Sequence, residues 1–117
     1  MSKLQNINLP AEYTLEAIKS KIIREFLNVI ILIEMTKRES ISGYDIIDFI
    51  SIKFSEAISP GTVYSTLYAI ERKGLIYGEN DGRKTVFKLT EKGQAAMETI
   101  QNSKHVFANI CKKIYET

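Results

Sequence analysis

The sequence is poor in the residues that redox, metal and secreted chemistry draw on. Its 117 residues include one cysteine, one histidine, two prolines and no tryptophan. A single thiol, Cys111, excludes an intrachain disulfide and fits a reducing cytoplasm. In its apolar surroundings Cys111 is expected to pack as a small side chain rather than to act as a nucleophile. The lone histidine, His105, falls on another side of the same helical segment, so it reads as a solvated residue and no metal site is expected. There is no glycine-rich phosphate loop, no serine, histidine and aspartate set, and no carboxylate pair with a plausible pocket. Neither catalysis nor a cofactor is therefore expected. The longest apolar run, Val29 to Ile33, is far too short to cross a bilayer, which argues against a membrane role. The N-terminus has no apolar stretch of the kind a signal peptide needs. No repeat and no low-complexity tract interrupts the chain.

What is present is the composition of a soluble globular domain, 44% hydrophobic and 26% charged with a net charge of +2. That length supports one domain with one modest core. The charge alone does not mark a nucleic-acid protein.

Residues 1–9 carry little pattern. Pro10 suits a first helical turn, and good helix formers follow it. Between Ser20 and Lys37, Ile22, Ile23, Phe26, Leu27, Ile30 and Ile33 recur at helical spacing without glycine or proline. The pattern leaves open whether residues 10–37 form one helix or two. Ser42 can cap a further helix, with Asp45 in its first turn and Ile46, Ile47, Ile50 and Phe54 as a core face. Ser59 caps the next, Pro60 takes its first position, and Gly74 ends it after Arg72 and Lys73. A strand then begins at Leu75, and Asn80-Asp81-Gly82 is a hairpin turn signal. In the returning strand Thr85, Phe87 and Leu89 alternate with Lys84, Val86 and Lys88. Thr90 caps a last helix, expected to run to about Tyr115. Helix, helix, helix, hairpin, helix is the order of a winged helix-turn-helix, an α+β fold that is mostly α with a small β-hairpin. In that arrangement the third helix enters a DNA groove and the hairpin lies beside it.

Helix 60–73 has the surface such a role needs. Val63, Leu67 and Ile70 form its core stripe. Gly61, Ser65, Tyr68 and Arg72 lie opposite, with Thr62 and Ala69 beside them and Tyr64 on a flank. A small face admits a duplex closely, and hydroxyls and arginine bond phosphates and base edges. The start of the helix should add free N–H groups at its positive end. Residues 82–92 carry Arg83, Lys84, Lys88 and Lys92 where a wing should meet the DNA backbone. A plain capped helix and a solvated basic loop are the competing reading, as is a winged-helix protein–protein adaptor. The polar outward face favours DNA, since an adaptor more often exposes an apolar patch. With Ser42 and Tyr44 at the start of the preceding helix, the candidate DNA contacts are Ser42, Tyr44, Ser59, Gly61, Thr62, Tyr64, Ser65, Tyr68, Arg72, Arg83 and Lys84.

Gly43-Tyr44, Gly61-Thr62-Val63-Tyr64, Gly74-Leu75-Ile76, Arg83 and Leu89-Thr90 with Gly93 together resemble the PadR family of transcriptional regulators. The resemblance covers residues 20–115 and is tightest over 43–93. The chain departs from the family at Ser65, where proline is usual, and at Phe87, where tyrosine is usual. The resemblance implies a dimeric, usually repressive DNA-binding protein whose N-terminal and C-terminal helices make the dimer. A single C-terminal helix resembles the short branch of that family, some members of which bind flat aromatic compounds at the dimer centre with tryptophan. This chain has none, although Phe107 or Tyr115 could line such a site.

The last helix carries its own signal. Ile100, Phe107 and Ile114 interleave with Ala96, Ser103 and Ile110 in an a/d heptad pattern. A partner helix is the natural cover, so Ala96, Ile100, Ser103, Phe107, Ile110 and Ile114 are the expected interface of a homodimer that reads palindromic double-stranded DNA. Packing back onto helix 20–37 is the alternative, and the two are compatible. The expected division is an N-terminal extension over 1–19, a winged-helix domain over 20–90 and a dimerisation helix over 91–117.

Overall fold

A computed structural model describes residues 6–116; residues 1–5 of the expected N-terminal extension, and Thr117, lie outside the described residues. The chain does not enter a helix at Pro10. Ala11–Tyr13 form one 3-10 turn, and Thr14 then caps α1 (Leu15–Glu25), its side chain accepting from the Ala17 N–H. The stretch read as one helix or two is two: α1 ends at Phe26 and α2 (Leu27–Met35) begins beyond it. α2 buries Leu27, Ile31, Leu32 and Met35, and so forms the middle of the core. A short strand, β1 (Ile41–Ser42), leads straight into α3 (Gly43–Phe54). α4 (Pro60–Arg72), β2 (Ile76–Asp81), β3 (Lys84–Leu89), α5 (Glu91–Asn102) and α6 (Lys104–Ile114) follow.

The sheet is antiparallel in the order β1-β3-β2, three strands where the sequence pattern predicts a hairpin alone. β1 pairs Ile41 with Phe87 and Ser42 with Val86. Val86, on the opposite face of the strand from Phe87, is buried as well, with Ser42 of β1 on one side of it and Glu79 of β2 on the other. The hairpin turn consists of Gly82 and Arg83, between the paired Asp81 and Lys84. Gly82 has φ +69 and Arg83 does not share the positive φ, which suits a turn of type II′ with glycine first.

The helix signals hold in detail. Ser42 and Asp45 form a reciprocal capping box on α3. Ser59 caps α4, with Pro60 in its first turn. Val63, Leu67 and Ile70 are buried as the core stripe, against Ile46 and Ile50 of α3. Gly74 follows α4 at φ +79, a left-handed position that stops the helix. Thr90 then ties α5 to this corner: its side chain donates to Gly74 O (2.6 Å) and its N–H to Leu75 O (3.0 Å).

The last helix is not continuous. Ser103 separates α5 from α6, and its hydroxyl donates to Ile100 O at 2.6 Å, a local bond that competes with the helix ladder. The heptad stripe is therefore divided. Met97 is buried in the chain's own core and Ile100 packs against it. Phe107 meets Phe26 edge to face, with ring centroids 5.1 Å apart. Both of these aromatics lie at or near a helix break. Val106, Ile110 and Ile114 remain exposed, Ile114 to 70%. The molecule measures 56 × 32 × 22 Å. Helices enclosing one core, with a small antiparallel sheet on the edge of the helix pair α3–α4, make a winged helix-turn-helix.

Candidate nucleic-acid interface

The turn between α3 and α4 sets the pose of α4. Ser55 ends α3 in the left-handed region at φ 53, a strained place for a residue with a Cβ. Its carbonyl accepts from Lys19 Nζ at 3.2 Å, which ties α1 to the turn. Gly43 lies under the Tyr64 ring. A Cβ there would overlap the end of that ring, so glycine lets Tyr64 lie flat over the start of α3, and any larger residue makes the ring shift.

Gly61, Ser65, Tyr68 and Arg72 are exposed along one side of α4, and Thr62 and Ala69 are partly covered. Tyr64 is half-buried over Gly43 and lies 6.2 Å from Tyr68, ring to ring. Tyr68 in turn lies 6.2 Å from Phe87 of β3. An aromatic row thus runs from the start of α3 across α4 to the wing. Tyr44 projects from the first turn of α3. Ser42, placed among the candidate contacts by its sequence position, is withdrawn from that surface. It is 2% exposed, its hydroxyl accepts from Asp45 N, and its backbone is paired in β1.

The start of α4 offers fewer donors than its sequence suggests. Pro60 has no N–H, Thr62 N donates to Ser59 Oγ at 3.2 Å, and Val63 N donates to Ser59 O at 3.1 Å. The Ser59 and Thr62 hydroxyls also bond each other at 2.8 Å. Gly61 N–H is the donor left at the positive end of the helix. A Cβ on Gly61 would meet nothing within 4 Å, and its φ is not positive. The fold itself does not require glycine at this position.

The four basic side chains of residues 82–92 divide into two pairs. Lys88 bridges to Glu79 on the neighbouring strand at 3.1 Å, and that carboxylate holds the ammonium pKa above its ordinary value. Lys92 donates to Lys73 O at 2.9 Å, at the end of α4. Arg83 and Lys84 stand exposed at the wing tip and join no ion pair among the described residues. Asp45, in the first turn of α3, feels the charge of the tip without pairing with it. Its pKa is lowered, first by the Ser42 backbone N–H it accepts, and further by the charges of Lys84 and Arg38.

One connection escaped the sequence reading. The carboxylate of Glu71, in the last turn of α4, accepts from Gly78 N of β2 at 2.7 Å. The available signal was a glycine inside a strand pattern, which marks a close approach.

On the far side of the core, α1, α2, α5 and α6 enclose an open groove of about 990 Å3. Ile18, Ile22, Phe26, Ile33, Ile100 and Phe107 are among the residues lining it. The expected interface residues are divided by it: Ile100, Ser103 and Phe107 line the groove, and Ile110 and Ile114 do not. Ala96 is partly covered on α5.

Residues 31–99 match the model of the transcriptional regulator PadR-like family. Among solved structures, a transcriptional regulator from Clostridium thermocellum aligns with a TM-score of 0.71 at 22% identity, over 82% of this chain and 99% of its own. A PadR family transcriptional regulator from Eggerthella lenta aligns with a TM-score of 0.68 at 21% identity, over 88% and 93%. The winged-helix DNA-binding protein F93 from STIV aligns with a TM-score of 0.55 at 20% identity, over 66% and 86%. No curated protein matches the chain by sequence.

Proposed function

The chain belongs to the PadR-like family of transcriptional regulators, and from that premise we propose that it is a two-fold dimeric repressor that reads a palindromic operator with α4 and the wing. The observation that carries the reading is the outward side of α4. It is small, hydroxyl-bearing and polar, and it includes a glycine that the packing of the chain does not need. Glycine costs about 1 kcal/mol relative to alanine in a helix. Its presence is accounted for if a phosphate group approaches the Gly61 N–H, where a helix N-terminus favours an anion. Ser59 and Thr62 then flank that phosphate, while Ser65, Tyr68 and Arg72 face base edges. Arg83 and Lys84 add charge from the wing tip, Arg83 toward the minor groove.

Dimerisation supplies the second half-site. The apolar groove and the exposed row of Phe107, Ile110 and Ile114 leave a large hydrophobic surface in water for a single protomer. These side chains are already partly covered, so each contributes roughly 1 kcal/mol or more on burial, and the gross gain for two protomers is on the order of 10 kcal/mol before association costs. A closed two-fold contact places the two α4 helices about one axis, so half-sites are inverted and about one helical turn apart, or a multiple of that.

The direct experiment is enrichment of genomic fragments by the purified protein, followed by sequencing. Selective recovery of fragments sharing an inverted repeat supports the reading. Recovery without sequence preference at physiological salt refutes it.

A further inference from the structure

β2 is an edge strand of the sheet, as is β1, and an edge strand leaves some backbone N–H groups without a strand partner. One of these, Gly78 N–H, donates to the carboxylate of Glu71 at 2.7 Å. Gly78 is closely surrounded at this point, by β3 side chains and by that carboxylate. A Cβ on Gly78 would come within 3.2 Å of both the Phe87 ring and the Thr85 methyl, and within 3.3 Å of Glu71 Oε2. Phe87, paired with Gly78 across the strands, is fully buried and meets Tyr68 of α4 on its other side. The root of the wing is thus held to α4 at two places, by an aromatic contact and by a charge-assisted hydrogen bond. Beyond Gly78 the hairpin runs out to Arg83 with its side chains largely in solvent. A small rotation at the root is magnified at the tip.

We propose that Glu71 is a positioning residue that sets the pitch of the wing relative to α4, so that Arg83 and Lys84 engage the same half-site as the helix. Glu71 itself is acidic and touches no DNA in this arrangement. Its effect passes through the Gly78 N–H. The proposal rests on the DNA-binding reading for its consequence, but not for its geometry.

The test uses the full chain with Glu71→Ala and Glu71→Gln, and with Arg83→Ala plus Lys84→Ala in the wild-type and Glu71→Ala backgrounds. Ala and Gln remove the same negative charge, and only Gln keeps an oxygen able to accept from Gly78. In the free protein, residual dipolar couplings of residues 77–88 relative to α4 should change in Glu71→Ala, and exchange of the Gly78 amide should quicken. Both should stay near wild type in Glu71→Gln. Operator affinity should fall about tenfold in Glu71→Ala, the scale of one lost hydrogen bond to a charged group. The salt dependence should flatten by about one unit per lost phosphate contact. The paired wing substitutions should then cost little more in the Glu71→Ala background. A merely structural role would leave their cost unchanged. Unaltered couplings in Glu71→Ala, an equal cost of the wing substitutions in both backgrounds, or a Gln variant as impaired as Ala each overturns the proposal. If Glu71→Ala does not fold, Glu71→Asp keeps the charge but shortens the reach, and the same readouts apply. If the wild type shows no sequence preference for DNA, the functional reading fails, and the couplings alone decide whether Glu71 holds the wing.

Discussion

Replacing Gly61 with alanine should move stability and DNA affinity in opposite directions. Gly61 lies in the first turn of α4, its φ is not positive, and a Cβ there meets nothing within 4 Å. Alanine therefore fits the folded chain without strain. It also restricts the unfolded chain, an effect worth about 0.4–1 kcal/mol at a compatible site. For a domain of this size the melting temperature should rise by about 2–6 °C. The same methyl group projects into the open space beside the Gly61 N–H, the donor left at the start of α4, where a closely approaching phosphate would meet it. A phosphate seated there has to withdraw, and the bond lost is one to a charged group, worth about 1.5–3 kcal/mol. That corresponds to roughly a ten- to hundredfold loss in operator affinity for each half-site. Thermal unfolding by circular dichroism and fluorescence anisotropy on a labelled operator give the two numbers on one preparation. A variant that is more stable and binds as tightly as wild type would refute the phosphate reading. One that melts lower would show that the fold needs this glycine after all.

Arg83→Ala with Lys84→Ala should leave the melting temperature nearly unchanged and flatten the log–log salt dependence of operator binding by about one unit per lost phosphate contact; an unchanged slope removes the wing tip from the interface. Phe107→Glu should place like charges beside the two-fold axis, giving monomers by sedimentation and a loss of operator affinity at a residue remote from α4. A dimer with unaltered affinity would move the interface elsewhere. Asp45→Asn should destabilise the protein at neutral pH, because the folded-state pKa of Asp45 lies below its unfolded value. That contribution is complete above the unfolded pKa of about 3.9 and is lost as pH falls through the lower folded value, so the deficit should shrink in urea melts taken at increasingly acid pH.

Local punctuation was legible and long-range pairing was not. Ser42 with Asp45, Ser59 with Pro60, and Gly74 mark helix ends by chemistry confined to a few residues, and each acts where its spacing places it. The two-residue strand β1 has no such signal. Its existence depends on pairing with Phe87 and Val86, which are distant in sequence from Ile41 and Ser42. The breaks at Phe26 and Ser103 belong to the same category. Neither break has proline or glycine beside it. Ser103 does carry a hydroxyl that turns back on Ile100 O, but a heptad count treats serine as a neutral member of the stripe. Around both breaks the chain folds onto itself through Phe26 and Phe107. Contact within the chain therefore uses part of the surface that periodicity alone assigns to a partner.

The same distinction governs the candidate interface. Tyr64 and Tyr68 are one turn apart on α4, and a helical wheel gives both to the outer half of the helix. Packing separates them. Tyr64 covers Gly43, where a Cβ would displace its ring, so that ring is part of the joint between α3 and α4. Tyr68 is 45% exposed and touches the wing through Phe87. Truncating Tyr64 would open a cavity at that joint and tilt α4, and affinity would fall whether or not the hydroxyl meets a phosphate. Tyr68 combines exposure with a contact to the wing, so a change there alters the surface offered to DNA with less disturbance of the helix pair. Sequence specificity should accordingly be probed at Ser65, Tyr68 and Arg72. At Tyr64 only the conservative change to phenylalanine, which keeps the ring over Gly43, separates a hydroxyl contact from the geometry of the joint.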